Sequence, residues 1–186
     1  MVVHAFLLLW VLTGIPTTPF LEILGGTKMT YAYHAVLFGV PLYKNKAGYI
    51  KIGGVNGKEI THCYPLIEKT FLKQKFNDKW KNISRKPIRV NGYEIKPDYK
   101  AYKERKPVFI EIKNWDTTWE NVSQVMRYII SLDRTIGYKE YELYLITSYI
   151  DLRRRTILEN LGVKIFLHHE YLEQYIGRWG HEKVNS

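Results

Sequence analysis

The chain has 186 residues, 46% hydrophobic and 25% charged, which is enough apolar material for one folded domain with a small extension and argues against disorder. Its net charge of +10 favours a polyanionic partner, nucleic acid first and an anionic membrane surface second. Cys63 is the sole cysteine, which excludes an intrachain disulfide, a cysteine-rich zinc site and a four-cysteine iron–sulfur cluster, and fits a reducing compartment.

The chain opens on an apolar run, Ala5 to Leu12, loosely extended to Ile15. No Lys or Arg precedes it, as a signal peptide would require, and Pro16 and Pro19 cut it short of a membrane span. Burial as a strand or short helix is the first expectation, and a non-essential leader upstream of Met29 is the second. Stable membrane insertion is not expected. Residues 30–55 read as short strands, YAYHAVLFGVPLY and GYIKIGG, on either side of a Lys/Asn/Gly turn, with strong turn signals at Gly53-Gly54 and Asn56-Gly57. Residues 1–55 are therefore expected to form an apolar, strand-rich extension packed on a domain spanning 56–186.

Residues 65–80, PLIEKTFLKQKFNDKW, predict a helix with Pro65 in its first turn and Leu66, Phe71, Leu72 and Phe76 approximating one apolar face. IRVNGYEI reads as a strand or hairpin about Asn91-Gly92, and DYKAY and VFIEIKNW as two strands joined by KERKP. Thr117 and Glu120 have the spacing of a capping box, which starts a helix running to about Leu132 with Val122, Val125, Met126, Ile129 and Ile130 on its apolar side. YELYLITSYI is a strand, and Asp151 caps a helix that stops at Gly162. VKIFLH is a last buried strand before a helical tail. From residue 65 the order is α-β-β-β-α-β-α-β-α, an α/β domain with a mixed sheet flanked by helices.

The carboxylate-x-Lys pattern occurs at Glu94, Asp98, Glu104 and Glu111, so the tripeptide alone identifies nothing. The Glu111-Ile112-Lys113 copy differs because it continues the apolar run Val108-Phe109-Ile110. Strand alternation puts Val108, Ile110 and Ile112 on a core face and Phe109, Glu111 and Lys113 on the other. A hairpin centred on Glu104-Arg105 sets Asp98 across from Glu111, although a turn without Gly or Asn leaves room for slippage. Like charges directly opposite are destabilising, and a divalent cation between them is the natural remedy. Two carboxylates, a backbone carbonyl (that of Ile112) and water suit Mg²⁺ or Mn²⁺. Lys113 would then orient water or stabilise charge on a phosphoryl oxygen, as metal-assisted phosphodiester hydrolysis requires.

KPDYK…VFIEIK resembles the PD-(D/E)xK nuclease superfamily: Pro97-Asp98, then Glu111-x-Lys113, on neighbouring strands. Gln124 and Tyr128 are similar to the Q-x-x-x-Y motif of its RecB-like branch and, four apart, share a helix face. The resemblance covers about residues 60–175. It implies a restriction-endonuclease-like fold, with Asp98 and Glu111 as metal ligands, Lys113 as the catalytic lysine, and Gln124 and Tyr128 as auxiliaries. An acidic residue from the preceding helix is also implied, with Glu68 preferred and Glu59 the alternative. His62 is a candidate for the histidine of that upstream region.

Arg153, Arg154 and Arg155 at a helix start are candidates for phosphate contact or else a solvated face. His168-His169 lacks a suitably spaced third metal ligand, and Trp115 and Trp119 suit either base stacking or packing. The expectation is an intracellular, cytoplasmic Mg²⁺- or Mn²⁺-dependent nuclease acting on DNA, with RNA and a homodimer left open. The alternative is a non-catalytic nucleic-acid-binding module on a nuclease-like fold.

Overall fold

The computed structural model describes residues 31–53, 62–83, 87–90 and 93–179. The amino-terminal apolar run, Glu59 and the Asn56-Gly57 and Asn91-Gly92 turns lie outside the described residues. Three short strands come first: β1 (Tyr31–Leu37), β2 (Val40–Asn45) and β3 (Ile50–Ile52), which form an antiparallel sheet in that order. Helix α1 follows, built of Tyr64–Ile67, a π-helical segment Glu68–Leu72, and Lys73–Phe76.

The main sheet has five strands in the order β10-β9-β8-β7-β4. They are β4 (Trp80–Asn82), β7 (Tyr99–Lys103), β8 (Lys106–Asp116), β9 (Glu142–Tyr149) and β10 (Val163–Leu167). β10, β9 and β8 run parallel, while β7 is antiparallel to both β8 and β4. β5 (Ile88–Val90) and β6 (Tyr93–Ile95) make a separate hairpin. Helices α2 (Trp119–Thr135), α3 (Leu152–Asn160) and α4 (His168–Trp179) complete the chain. The expected class, a mixed central sheet flanked by helices, is the one the chain adopts.

Parallel strands need cover on both faces, which explains the near-continuous apolar runs of β8 and β9. Alternation along β8 sorts its side chains between two cores. Ile110 and Ile112 join Leu66, Ile67, Phe71, Ile146 and Leu172 on the α1 and α4 side. Phe109 joins Val122, Val125, Leu132 and Leu145 on the α2 side. The face expected to carry Phe109, Glu111 and Lys113 is thus roofed by α2, with Phe109 and Glu111 buried and Lys113 partly exposed. Leu37, Leu42, Ile50 and Ile52 of the small sheet belong to the first core, so that sheet and the central one share a single apolar cluster.

Several local expectations are corrected. The first helix ends at Phe76, not residue 80: Asn77 turns left-handed (φ 45°), its N–H bonded to the Lys73 carbonyl, and Trp80 enters β4 opposite Ala101. The α2 capping box uses Thr118 and Asn121 in place of Thr117 and Glu120. Tyr128 and Leu132 are buried on α2, whereas Ile130 is exposed. Asp151 does cap α3, through the Arg154 N–H, and Gly162 terminates it at φ 84°. Among the described residues no helix is long and apolar enough to cross a membrane.

Candidate active site

The hairpin of β7 and β8 sets the site. Its rungs run from Lys103 opposite Lys106 to Tyr99 opposite Ile110, closed by a two-residue turn. Both turn residues, Glu104 (φ 53°) and Arg105 (φ 87°), have positive φ, as such a turn demands even without glycine. The register is the one that spacing predicts. Asp98 stands just before β7, its N–H bonded to the Ile110 carbonyl at 2.9 Å. Where its main chain leaves the sheet its carboxylate continues the ladder, with Oδ2 accepting the Ile112 N–H at 2.7 Å. The recorded contact of Ile112 with Asp98 is thus through its amide. The other oxygen, Oδ1, accepts a hydrogen bond from the Tyr64 hydroxyl of α1.

Glu111, 2% exposed, is held from two sides. Its Oε1 takes the Lys113 ammonium at 2.7 Å and the Gln124 amide at 2.8 Å. Lys113 thus shares a carboxylate oxygen with α2. Gln124 Nε2 also lies 2.7 Å from the Tyr128 hydroxyl, which donates to the Lys96 carbonyl at 2.9 Å. Burial, and then the Glu111 charge, push the Tyr128 phenol above its ordinary value, so it remains a neutral donor. The four-residue spacing of Gln124 and Tyr128 therefore serves both the strand and the loop before Asp98.

Glu68 lies one helical turn after Tyr64, and Tyr99 links it to the hairpin, donating to Oε1 at 2.7 Å. Burial and the Glu68 contact raise the Tyr99 phenol, which again remains protonated. The Tyr64 and Tyr99 rings meet edge-on at 5.5 Å, so Asp98, Tyr64, Tyr99 and Glu68 form one continuous group. His62 lies elsewhere, against Gly53, where a Cβ would stand 3.1 Å from the His62 Cβ.

The arginines are spread along α3. Arg153 and Arg154 lie over the Trp119 ring, at 5.4 and 5.9 Å from its centroid. Arg154 also bonds Asp151 and the Thr117 carbonyl, while Arg155 pairs with Glu159 at 2.9 Å. His168 is fully buried, its Nδ1 2.7 Å from the Tyr171 hydroxyl, and burial pulls its pKa down to about 3.

Sequence reasoning missed Tyr64, Tyr99, Asn114, Ser148 and Lys51. Tyr64 and Glu68, four apart on a helix, carry a usable signal. The others act through strand pairings that periodicity does not disclose. Asn114, 0% exposed, bonds the Ile52 main chain twice, Oδ1 accepting from its N–H at 3.0 Å and Nδ2 donating to its carbonyl at 2.5 Å. Lys51 sits over the Trp115 ring, 2.8 Å from its centroid, and burial draws its pKa down to about 8 against the opposing pull of Asp116.

Among the described residues no group of three His, Cys, Asp or Glu side chains is poised around one metal position. The donors the hairpin brings together are the buried carboxylates of Asp98 and Glu111, hard oxygens of the kind that suits Mg²⁺ or Mn²⁺. No protein-family model and no curated protein matches the chain. Among solved structures, it is similar to a repair endonuclease from Pyrococcus abyssi, at 14% identity and a TM-score of 0.43, over 72% of this chain and 63% of that one. An EndoMS–dsDNA complex gives 12% identity and 0.42 over 73% and 63%, and a protein of unknown function, AF1548, 15% and 0.41 over 55% and 53%. The chain spans less than two thirds of the length of each of these proteins.

Proposed function

We propose that this protein is a metal-dependent nuclease of PD-(D/E)xK type that hydrolyses phosphodiester bonds of DNA inside the cell. One observation carries the reading: the β7–β8 register and the α2 roof gather the buried Asp98 and Glu111 with the half-buried Lys113 and Gln124 into one corner. Buried carboxylates beside a lysine are costly for folding, and such arrangements concentrate at functional sites.

Asp98 and Glu111 would hold Mg²⁺ or Mn²⁺, with the Ile112 carbonyl and Glu68 as the further donors proposed. A bound cation would supply positive charge at the scissile phosphate and make water a nucleophile at neutral pH. The chain's own residues do the rest. Lys113 presents an ammonium where negative charge develops on the phosphoryl group. Gln124 fixes the Glu111 carboxylate, Tyr128 fixes Gln124 and the Lys96 carbonyl, and Tyr64 orients Asp98. The net charge of +10 draws the polyanion in.

The test incubates wild type and Glu111→Ala with linear and circular, single- and double-stranded DNA, in Mg²⁺, Mn²⁺ or EDTA. The expected result is metal-dependent cleavage by wild type and none by the variant. Cleavage that survives EDTA or Glu111→Ala would falsify the mechanism, and cutting of circular DNA marks an endonuclease. The 2.7 Å Glu111–Lys113 pair also fits a second reading, a structural ion pair in a non-catalytic nucleic-acid-binding module. That reading predicts DNA binding indifferent to EDTA and no cleavage.

A further inference from the structure

β8 carries a bulge immediately after Lys113. Lys113 stands opposite Thr147 and Asp116 opposite Tyr149, so β8 uses one more residue than β9 over this stretch. A bulge re-aims the side chains beside it, and its unpaired main-chain groups need other partners. From below, Thr147 Oγ1 donates to the Trp115 carbonyl at 2.9 Å. From the side, the amino-terminal sheet holds the side chains of the bulge.

Asn114 sits within the bulge and uses its amide as a strand uses its main chain, accepting the Ile52 N–H at 3.0 Å and donating to the Ile52 carbonyl at 2.5 Å. The donor and acceptor of Ile52 admit one orientation of that amide. Three further contacts tie the same sheet to the same stretch. Ser148 Oγ donates to the Ile50 carbonyl at 2.6 Å, Tyr31 donates to Asp116 at 3.2 Å, and Lys51 covers the Trp115 ring. Asn114 and Ser148 are both fully buried, so these bonds form away from competing water.

We propose that β3 is a working part of the site: by gripping Asn114 it fixes the bulge that aims Lys113, and Asn114 is a positioning residue acting through that lysine. This rests on the nuclease reading and extends it to residues 31–53, which lie outside the PD-(D/E)xK resemblance. A small misplacement of a catalytic group lowers turnover without weakening substrate binding. The amino-terminal sheet therefore sets rate and not DNA affinity.

The experiment compares wild type, Asn114→Ala, Ser148→Ala and Leu37→Val, with Glu111→Ala as the inactive reference. Single-turnover cleavage and DNA affinity are measured well below each variant's melting temperature. Leu37 is buried at the end of β1, opposite Val40 and not paired with Ile52, so its truncation loosens the sheet without removing the grip on Asn114. Asn114→Ala is expected to lower the single-turnover rate about 10- to 100-fold with DNA affinity within about threefold of wild type. Leu37→Val lowers the melting temperature but keeps the rate within about threefold. Should Asn114→Ala fail to fold, Ser148→Ala is decisive, with an expected loss of about three- to tenfold at unchanged affinity.

A folded Asn114→Ala that cuts at the wild-type rate overturns the proposal, as does a wild-type rate in Ser148→Ala where Asn114→Ala is unfolded. An equal rate loss in Leu37→Val overturns it too, since general loosening would then explain the effect. A wild type that cleaves nothing, or a Glu111→Ala that still cleaves, brings down the nuclease reading and the proposal with it. An active wild type, a dead Glu111→Ala and an unaffected Asn114→Ala bring down the proposal alone.

Discussion

Charge is arranged in opposite ways at the β7–β8–α2 corner and along α3. In the corner, contacts join residues 13, 14 and 34 positions apart, drawn from α1, β8 and α2, and both carboxylates are buried. Along α3 the pairs are three and four residues apart, Arg154 with Asp151 and Arg155 with Glu159, and partly or largely open to solvent. Pairs of the second kind form on any helix of suitable sequence and contribute about 0–1 kcal/mol each. Contacts of the first kind require the whole fold and carry a desolvation cost that an apolar corner would avoid. The difference teaches where to look for chemistry: not where charge is densest along the chain, but where tertiary structure gathers it at a cost.

The largest break in that comparison is Lys113→Ala. If the corner is catalytic, this substitution lowers turnover by about 10²- to 10³-fold, the loss typical of removing one preorganised electrostatic partner from a transition state. Mn²⁺ affinity, measured by calorimetry on the same variant, is expected to stay within about threefold, because the carboxylates would be the groups that hold the cation. Equal losses in turnover and metal binding would make the lysine a structural counter-ion of Glu111.

Gln124→Ala is the next largest. It removes the Gln124 amide from both Glu111 and the Tyr128 hydroxyl. A lost hydrogen bond to a charged group contributes about 1.5–3 kcal/mol, so turnover falls about tenfold or somewhat more, and stability falls in the same variant. Chemical denaturation and single-turnover kinetics on one preparation separate the two effects. Unchanged turnover would sink the auxiliary role and leave Gln124 as a helix-to-strand tie.

The corner was legible in the sequence to the extent that counting could make it so. A two-residue turn fixes a hairpin register outright, and Glu104 and Arg105 accept positive φ because the strands on either side pair strongly. The Gln124–Tyr128 spacing was legible for the same reason, a helix repeat being local. The helix end at Asn77 was not, because the apolar spacing continues to Trp80 and the stop comes from Trp80 pairing with β7. The cap moved by one residue because Thr117 is drawn into the sheet, its N–H on the Tyr149 carbonyl and its hydroxyl on Thr147, leaving Thr118 to start α2. Asn114 was invisible as a site residue because it acts across 62 positions, on a partner that topology alone supplies, whereas Tyr64 could be found only through its spacing from Glu68.

The smallest effects belong to the arginines, and they sharpen the comparison by dividing that row. Arg154 is committed to the fold through Asp151 and the Thr117 carbonyl, so Arg154→Ala is expected to cost about 1 kcal/mol in stability. Arg155 is half of an exposed pair with Glu159, and Arg155→Ala is expected to stay within about 0.5 kcal/mol. Arg153 is exposed and rests on the face of Trp119, beside the start of α2. A guanidinium held over an aromatic ring is preorganised for a phosphate. If DNA crosses from the corner over Trp119, Arg153→Ala reduces the slope of log affinity against log salt by about 0.7–0.9, the release of one counterion. Arg155→Ala leaves that slope unchanged. Identical slopes for wild type and Arg153→Ala would place the strand elsewhere and leave all three arginines to helix and surface, a row of charge gathered by sequence alone.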